Sequence, residues 1–164
     1  MVVFDTSILL LVLDPNAKPP ADPATGAPVP RATARIEYLV DRLDHDREKI
    51  IVPTPVLSEL LVFRIASFDQ KAAIEAALAH RDALRRGGLR IDTANPDAPR
   101  TKIKFDWQIV AIASAEGARA VYSDDEDVIG YAKQAGLGAF RTLDPELPPE
   151  DPQQALDFGA GNDA

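Results

Sequence analysis

The chain has 164 residues, with 26 acidic and 18 basic side chains, two histidines and no cysteine. This length suits one domain with a sizeable core, and the lack of cysteine excludes disulfides, thiolate metal sites and a cysteine nucleophile. The longest apolar run, Ile8–Leu13, is far shorter than the roughly 20 residues of a membrane span. No basic segment precedes it, as a signal peptide would require, so we expect a cytoplasmic protein without a membrane partner.

The net charge of −8 is unevenly distributed along the chain. Residues 142–164 hold six acids and no lysine or arginine, so residues 1–141 carry a net charge of only −2. A nucleic-acid partner, which a strongly acidic surface disfavours, is therefore compatible with the main part of the chain. We divide the sequence into a domain over residues 1–144 and an acidic tail over residues 145–164 that we expect to be mobile.

The first third of the chain shows a strand-like, a loop-like and a helix-like pattern in turn. Met1–Ile8 is rich in β-branched and aromatic residues, which predicts a buried parallel strand. Residues 14–30 contain six prolines and are predicted to be an inserted surface loop, because proline interrupts helices and central strands. Aliphatic residues at helical spacing between Ile36 and Leu43 then predict an amphipathic helix.

The rest of the chain alternates between strands and helices. In chain order we predict a strand over Ile50–Val52, a helix over Thr54–Phe63, a helix over Phe68–Arg86, a strand over Leu89–Asp92, a turn over Asn95–Arg100, a helix over Phe105–Glu116, a strand over Arg119–Ser123, a helix over Asp127–Gln134 and a strand over Gly138–Thr142. Strands separated by helices imply parallel βαβ crossovers. The sequence therefore predicts an α/β fold, a three-layer α/β/α sandwich with a parallel sheet of about five strands.

Acidic residues follow the predicted strands or open the helices after them. They are Asp5, Glu59, Asp106, Asp124, Asp125 and Asp127. Ligands collect outside the carboxyl ends of the strands of an open parallel sheet, so we expect these side chains to meet there. Each also has an ordinary interpretation: Asp106 as the N-cap of its helix, Asp125 or Asp127 as the N-cap of the next one, and the acidic run as a solvated turn.

A cluster of carboxylates requires a counter-charge. At a separation of ~4 Å and an effective dielectric constant near 20, each like-charge pair costs about 4 kcal/mol. Hard divalent ions such as Mg²⁺ or Mn²⁺ suit an all-oxygen ligand set, and a bound ion can polarise a phosphodiester and activate water. We therefore predict Mg²⁺ or Mn²⁺ as the cofactor.

Four segments that contain these acids resemble the motifs of the PIN-domain nucleases. They are Val3–Leu10, Pro53–Leu61, Phe105–Ala113 and Val121–Val128. The resemblance extends over residues 1–144 and implies a PIN-like fold with the catalytic residues Asp5, Glu59, Asp106 and Asp125. It implies Asp5, Asp106 and Asp125 as metal ligands, Asp124 and Asp127 as secondary candidates, and Thr6 and Ser123 as supporting residues.

Within that family, the size is most similar to the VapC-type toxins of toxin–antitoxin pairs. This likeness implies a Mg²⁺- or Mn²⁺-dependent endoribonuclease that forms a homodimer and is inhibited by a small antitoxin protein. Two alternatives stay open: a PIN-like RNA-processing nuclease without an antitoxin, and a non-enzymatic dimeric binding protein on the same scaffold. A haloacid-dehalogenase-type phosphatase is disfavoured because position 7 is Ser rather than a second Asp.

The RNA substrate requires positive charge beside the acids. Arg100, Lys102 and Lys104 lead directly to Asp106 and are the predicted RNA-binding residues. The ordinary interpretation of this basic stretch is a solvated surface segment. A nucleotide-binding domain is disfavoured, because no Gly-rich phosphate loop follows the first strand.

Overall fold

A computed structural model describes residues 1–14, 16–53, 64–85 and 100–149 of the protein. The strands are β1 (Val2–Phe4), β2 (Ile50–Pro53), β3 (Arg64–Ala66), β4 (Ala120–Tyr122) and β5 (Gly138–Phe140). The helices are α1 (Thr6–Leu13), α2 (Ala32–His45), α3 (Gln70–Arg85), α4 (Arg100–Ala115) and α5 (Glu126–Gln134). The predicted helix over Thr54–Phe63, with Glu59, and the predicted strand over Leu89–Asp92 lie outside the described residues.

The described strands form one parallel sheet in the order β3-β2-β1-β4-β5. Strand β1 is central, with Val3 paired to Ile51 of β2 on one side and to Val121 of β4 on the other. The chain adds β2 and then β3 on one side of β1, and later adds β4 and then β5 on the other side. A gap between diverging connections therefore opens at the carboxyl ends of β1 and β4.

Successive residues of each strand point to opposite faces of the sheet, and each face is covered by helices. One face, with Val3, Ile51 and Val121, packs against apolar side chains of α3, α4 and α5. The other face, with Phe4 and Val52, packs against apolar side chains of α1 and α2. The predicted three-layer α/β/α sandwich with a parallel sheet of about five strands is confirmed.

The predicted first strand is too long. It was expected over Met1–Ile8, but β1 ends at Phe4 and α1 begins at Thr6. Asp5 separates the two elements as the N-cap of α1, because its side chain accepts a hydrogen bond from the Thr6 amide. An N-cap carboxylate accepts a hydrogen bond from an amide that has no partner within the helix, so it favours a helix start at this point. The strand therefore ends four residues before the predicted end.

Helix α4 begins earlier than predicted. It was expected to start at Phe105 after a turn ending at Arg100, but it starts at Arg100 itself. Asp106 therefore lies inside the helix, and its interpretation as an N-cap is wrong. The N-cap interpretation of Asp125 is confirmed, because its side chain accepts hydrogen bonds from the first amides of α5. The strand β3 was not predicted, since its three residues follow directly on a segment that reads as helix.

The loop and the tail contact the domain at defined points. Residues 16–31 contain an isolated antiparallel bridge between Ala21 and Pro28 in place of a longer strand or helix. Pro145, at the start of the tail after β5, accepts a 2.7 Å hydrogen bond at its carbonyl from the Arg35 guanidinium of α2. Residues 150–164, most of the predicted tail, lie outside the described part of the chain. None of the helices in the described ranges has the length and apolar character to cross a membrane.

Candidate metal centre

The site lies where β1 and β4 end side by side. The Asp5 amide donates a 2.9 Å hydrogen bond to the Tyr122 carbonyl, which brings the residue after β1 against the last residue of β4. The next residue of the chain after β4 is Ser123, and it is completely buried. The two strands thus deliver Asp5 and the segment Ser123–Asp127 to one edge of the sheet, as the sequence predicts.

Asp5 is held by two short hydrogen bonds. Its Oδ1 accepts from the Thr6 amide at 2.6 Å, and its Oδ2 accepts from the Ser123 hydroxyl at 2.6 Å. Burial raises the pKa of Asp5 above its ordinary value, although these two hydrogen bonds partly oppose the effect. The carboxylate is therefore fixed in place in a site that disfavours its charge.

Ser123 connects Asp5 to Asp125. While its hydroxyl donates to Asp5, its Oγ accepts a 3.0 Å hydrogen bond from the Asp125 amide. The Asp125 side chain in turn accepts from the amides of Asp127 and Val128 and so begins α5. One hydroxyl therefore sets the positions of two of the predicted metal ligands.

Three carboxylates meet beside Asp5. One oxygen from each of Asp106, Asp125 and Asp127 lies within 4.8 Å of the other two, a spacing that suits a metal ion. Asp106 and Asp127 are buried, and Asp125 is partly exposed. The structure thus brings the secondary candidate Asp127 into the group with Asp106 and Asp125. Asp5, a predicted ligand, lies outside this group of three and is linked to Asp125 through Ser123.

The ammonium of Lys102 lies among these carboxylates. Its Nζ is 2.9 Å from Asp106 Oδ2, 2.9 Å from Asp125 Oδ2 and 3.0 Å from Asp127 Oδ2. Burial alone would lower the pKa of Lys102, but its hydrogen bonds to Asp125, Asp106 and Asp127 outweigh burial and raise the pKa. Lys102 is therefore a protonated counter-charge for the cluster.

One ammonium does not fully compensate the cluster. Burial, together with smaller contributions from the charges of Asp125 and Asp127, raises the pKa of Asp106 to about 6, even though its hydrogen bond with Lys102 acts in the opposite direction. Three carboxylates against one ammonium leave an excess of two negative charges when all are ionised. This charge and the all-oxygen donor set fit a divalent cation such as Mg²⁺ or Mn²⁺.

Asp124 has a different role from its neighbours. Its carboxylate accepts a 3.0 Å hydrogen bond from the Thr142 amide and a 2.5 Å hydrogen bond from the Thr142 hydroxyl. Thr142 is completely buried and follows β5. Asp124, a secondary metal candidate by sequence, therefore fastens the end of β5 to the end of β4.

We expect Asp124→Ala to destabilise the protein by about 1–3 kcal/mol, because two buried donors of Thr142 lose their acceptor. Urea unfolding monitored by circular dichroism measures the change. The control is a double-mutant cycle with Thr142→Val, which removes the hydroxyl from the other side of the contact. Strictly additive losses in that cycle would contradict a direct interaction between the two side chains.

An open cleft of about 680 Å³ gives access to the site. Asp5, Asp106 and Asp125 line it together with apolar side chains of α1 and α4, among them Leu10 and Phe105. Leu10 is 52% exposed and Phe105 is 48% exposed. The cleft therefore combines an acidic end with an apolar wall open to solvent.

Comparison with known proteins gives a match in structure. No protein-family model matches the chain. No curated protein matches it either. A chain in the crystal structure of VapBC2 from Rickettsia felis bound to a DNA fragment from their promoter is similar, with a TM-score of 0.54 and 14% sequence identity, over 86% of this chain and 98% of that chain. At this identity the likeness shows a shared fold, and it agrees with the PIN-like fold that the motifs imply.

The predicted basic residues take different positions. Arg100 begins α4, Lys104 is exposed, and Lys102 is engaged with the acids. Sequence reasoning missed Lys102 as a counter-charge, although its spacing of four residues before Asp106 is the signal of an ion pair within a helix. That signal was hidden because α4 was predicted to begin at Phe105.

Ser7 is a second contact that sequence reasoning did not assign. Its Oγ accepts a 3.2 Å hydrogen bond from the Asp124 amide and so ties α1 to the segment after β4. Thr6, predicted as a supporting residue, supports Asp5 through its backbone amide. Nothing in the sequence distinguishes an amide that holds a carboxylate from any other amide.

Proposed function

We propose that the protein is a metal-dependent endoribonuclease that hydrolyses RNA phosphodiester bonds. The observation that carries this proposal is the convergence of Asp106, Asp125 and Asp127, with oxygens within 4.8 Å of one another. Asp5 joins them through Ser123 at the edge where β1 and β4 end. Glu59, the remaining catalytic residue of the proposal, lies outside the described residues.

The proposed cofactor is Mg²⁺ or Mn²⁺, held by Asp106, Asp125 and Asp127, whose oxygens lie within 4.8 Å of one another. Asp5, the remaining predicted ligand, is linked to Asp125 through Ser123. When bound, such an ion supplies Lewis-acid polarisation of the phosphodiester and lowers the pKa of the attacking water. The protein contributes the positioning: Ser123 holds Asp5, and the α5 amides hold Asp125. Fixed carboxylates reduce the cost of organising the site during the reaction.

The proposed RNA contacts are Arg100, Lys102 and Lys104 in the first turns of α4. Lys104 is exposed, and the same helix carries Asp106 into the cluster. Side chains of this kind neutralise backbone phosphates, and such binding weakens steeply as salt concentration rises. The next residues of the same helix, Phe105 and Asp106, line the open cleft.

The proposed biological role is that of the toxin in a toxin–antitoxin pair, with a second copy of the chain and a small antitoxin as partners. The structural likeness to a chain of VapBC2 supports this role. Exposed apolar side chains at the cleft and on α1, namely Leu10, Leu13 and Phe105, offer surface for such partners. A PIN-like RNA-processing nuclease without an antitoxin is the alternative role for the same chemistry.

We expect the purified protein to cleave RNA in the presence of Mn²⁺ or Mg²⁺ and to lose that activity in EDTA. The reason is that the carboxylates alone supply no Lewis acid to polarise the phosphodiester or to activate water. The measurement is incubation with mixed RNAs under both conditions, followed by mapping of the new ends. Protein with Asp106→Asn, purified in the same way, controls for contaminating ribonucleases. Cleavage of equal extent in EDTA would contradict a metal-dependent mechanism.

One observation favours a second function, that of a non-enzymatic binding protein on the same scaffold. The three ion pairs of Lys102 give the acids a partner within the chain itself. If the cluster is only structural, about 1 mM Mn²⁺ leaves the melting temperature unchanged, whereas a ligand that binds the folded state raises it. A thermal melt with and without Mn²⁺ separates the two functions.

A further inference from the structure

We propose that Lys102 is a tethered counter-ion that occupies the position of the divalent metal and has to be displaced for the metal to bind. This inference rests on the proposed function, because it concerns the affinity of the proposed centre for its metal. It assigns to Lys102 a regulatory role at the acids in addition to any contact with RNA.

The contacts of Lys102 place its ammonium inside the proposed ligand set. Its Nζ lies 2.9–3.1 Å from oxygens of Asp106, Asp125 and Asp127, the same three residues whose oxygens approach within 4.8 Å of one another. A cation coordinated by those oxygens and the ammonium require the same space. Lys102 and a metal ion are therefore mutually exclusive on this set of atoms.

The Lys102 side chain can leave without disturbing the fold. It is 35% exposed, in contrast to 9% for Asp106 and 6% for Asp127. Its four-carbon stem has several rotatable bonds, so the ammonium can move toward solvent while the backbone of α4 stays in place. Displacement then costs three charge-assisted hydrogen bonds, and this cost reduces the apparent affinity for the metal.

The same contacts stabilise the metal-free protein. Without the ammonium, the buried carboxylates of Asp106 and Asp127 would face Asp125 with no cation among them, a repulsion that burial strengthens. Lys102 therefore protects the fold at low metal concentration and makes activity depend on a metal concentration high enough to displace it.

The first experiment compares Mn²⁺ binding by isothermal titration calorimetry for the wild type, Lys102→Gln, Lys102→Arg and Lys104→Gln. We expect Lys102→Gln to bind Mn²⁺ at least about tenfold more tightly than the wild type, because the competing charge is gone. Lys104→Gln removes the same charge from an exposed position two residues away and should change the affinity by less than about twofold. Lys102→Arg keeps the charge and should bind as weakly as the wild type.

The second experiment uses the unmodified sequence and so does not depend on the folding of a variant. An amine-acetylating reagent is applied at pH 8 with and without saturating Mn²⁺, and modification of each lysine is quantified by mass spectrometry. We expect Mn²⁺ to accelerate acetylation of Lys102 several-fold, because displacement frees its amine. Acetylation of the exposed Lys104 should stay unchanged and serves as the internal control.

The outcomes separate this inference from the proposed function. Equal Mn²⁺ affinity for Lys102→Gln and Lys104→Gln, or slower acetylation of Lys102 with Mn²⁺, overturns the inference and leaves the metal centre intact. If neither the wild type nor Lys102→Gln binds Mn²⁺ at millimolar concentration, the proposed metal-dependent function is overturned together with the inference.

Discussion

The Asp106→Asn variant is expected to lose RNA cleavage by at least about a thousandfold, because a metal ligand supports several kcal/mol of transition-state stabilisation. Asp106 is buried and shares the cluster with Asp125 and Asp127. An amide in its place keeps the volume and one acceptor oxygen but removes the charge that binds the cation. The measurement is the initial rate of RNA cleavage at saturating Mn²⁺.

The same variant is expected to be more stable than the wild type above pH 6. Burial raises the pKa of Asp106 from 3.8 to about 6, so the folded protein binds this proton more tightly than the unfolded chain does. The stabilisation from that proton is complete below pH 4 and is lost as the pH rises through 6. Asparagine has no such proton to lose, so its advantage in unfolding free energy should grow by about 2 kcal/mol between pH 4 and pH 7.

The control for both readouts is Asp41→Asn, which removes an exposed carboxylate from α2. It should leave the cleavage rate within about twofold of the wild type, since one exposed charge that is screened by salt contributes little to the energetics of the site. Undiminished cleavage by Asp106→Asn would show that Asp106 is no metal ligand. A stability difference that is flat between pH 4 and pH 7 would contradict the raised pKa of its carboxyl.

The second large effect is expected for Asp5→Asn, which should lower the rate of RNA cleavage at least about a hundredfold. Asn remains a good N-cap, so α1 should still begin at Thr6. What changes is the charge, together with the hydrogen bond of the Ser123 hydroxyl, whose present acceptor is Asp5 Oδ2 at 2.6 Å. The initial rate of RNA cleavage and the helical circular dichroism signal measure the two consequences separately.

The matched control for Asp5→Asn lies at the other end of the same helix. Asp14 is exposed and is the C-cap of α1, so Asp14→Asn removes one carboxylate from the same element outside the cleft. We expect it to cleave RNA like the wild type. If both variants cleave at the wild-type rate, Asp5 has a structural role only, as the residue that ends β1 and begins α1.

The fold was largely predictable because the sequence repeats one simple physical pattern. The apolar strands around Val3, Val52 and Val121 are separated by helices, and only a parallel sheet covered on both faces buries all of them. The same reasoning placed Asp5 and Asp125 at the carboxyl ends of neighbouring strands, where the structure has them.

The errors come from places where local sequence has no clear period. Residues Ile8–Leu13 are all apolar, so their pattern does not distinguish a strand from the helix α1 that the structure shows there. The first turn of α4 was missed because the preceding Pro-containing segment predicts a turn. Because of that error, the sequence analysis did not place Lys102 on the helix one turn before Asp106. It therefore did not recognise the cation that compensates the charge of the cluster.

Two helices begin at the acidic edge, and this has an electrostatic consequence. Asp5 is the N-cap of α1 and Asp125 is the N-cap of α5, so the N-termini of both helices face the cluster. The aligned peptide dipoles of a helix amount to roughly half a positive charge at its N-terminus. Two macrodipoles therefore offset part of the repulsion among the carboxylates, which lets this small domain keep its acids together before any ion arrives.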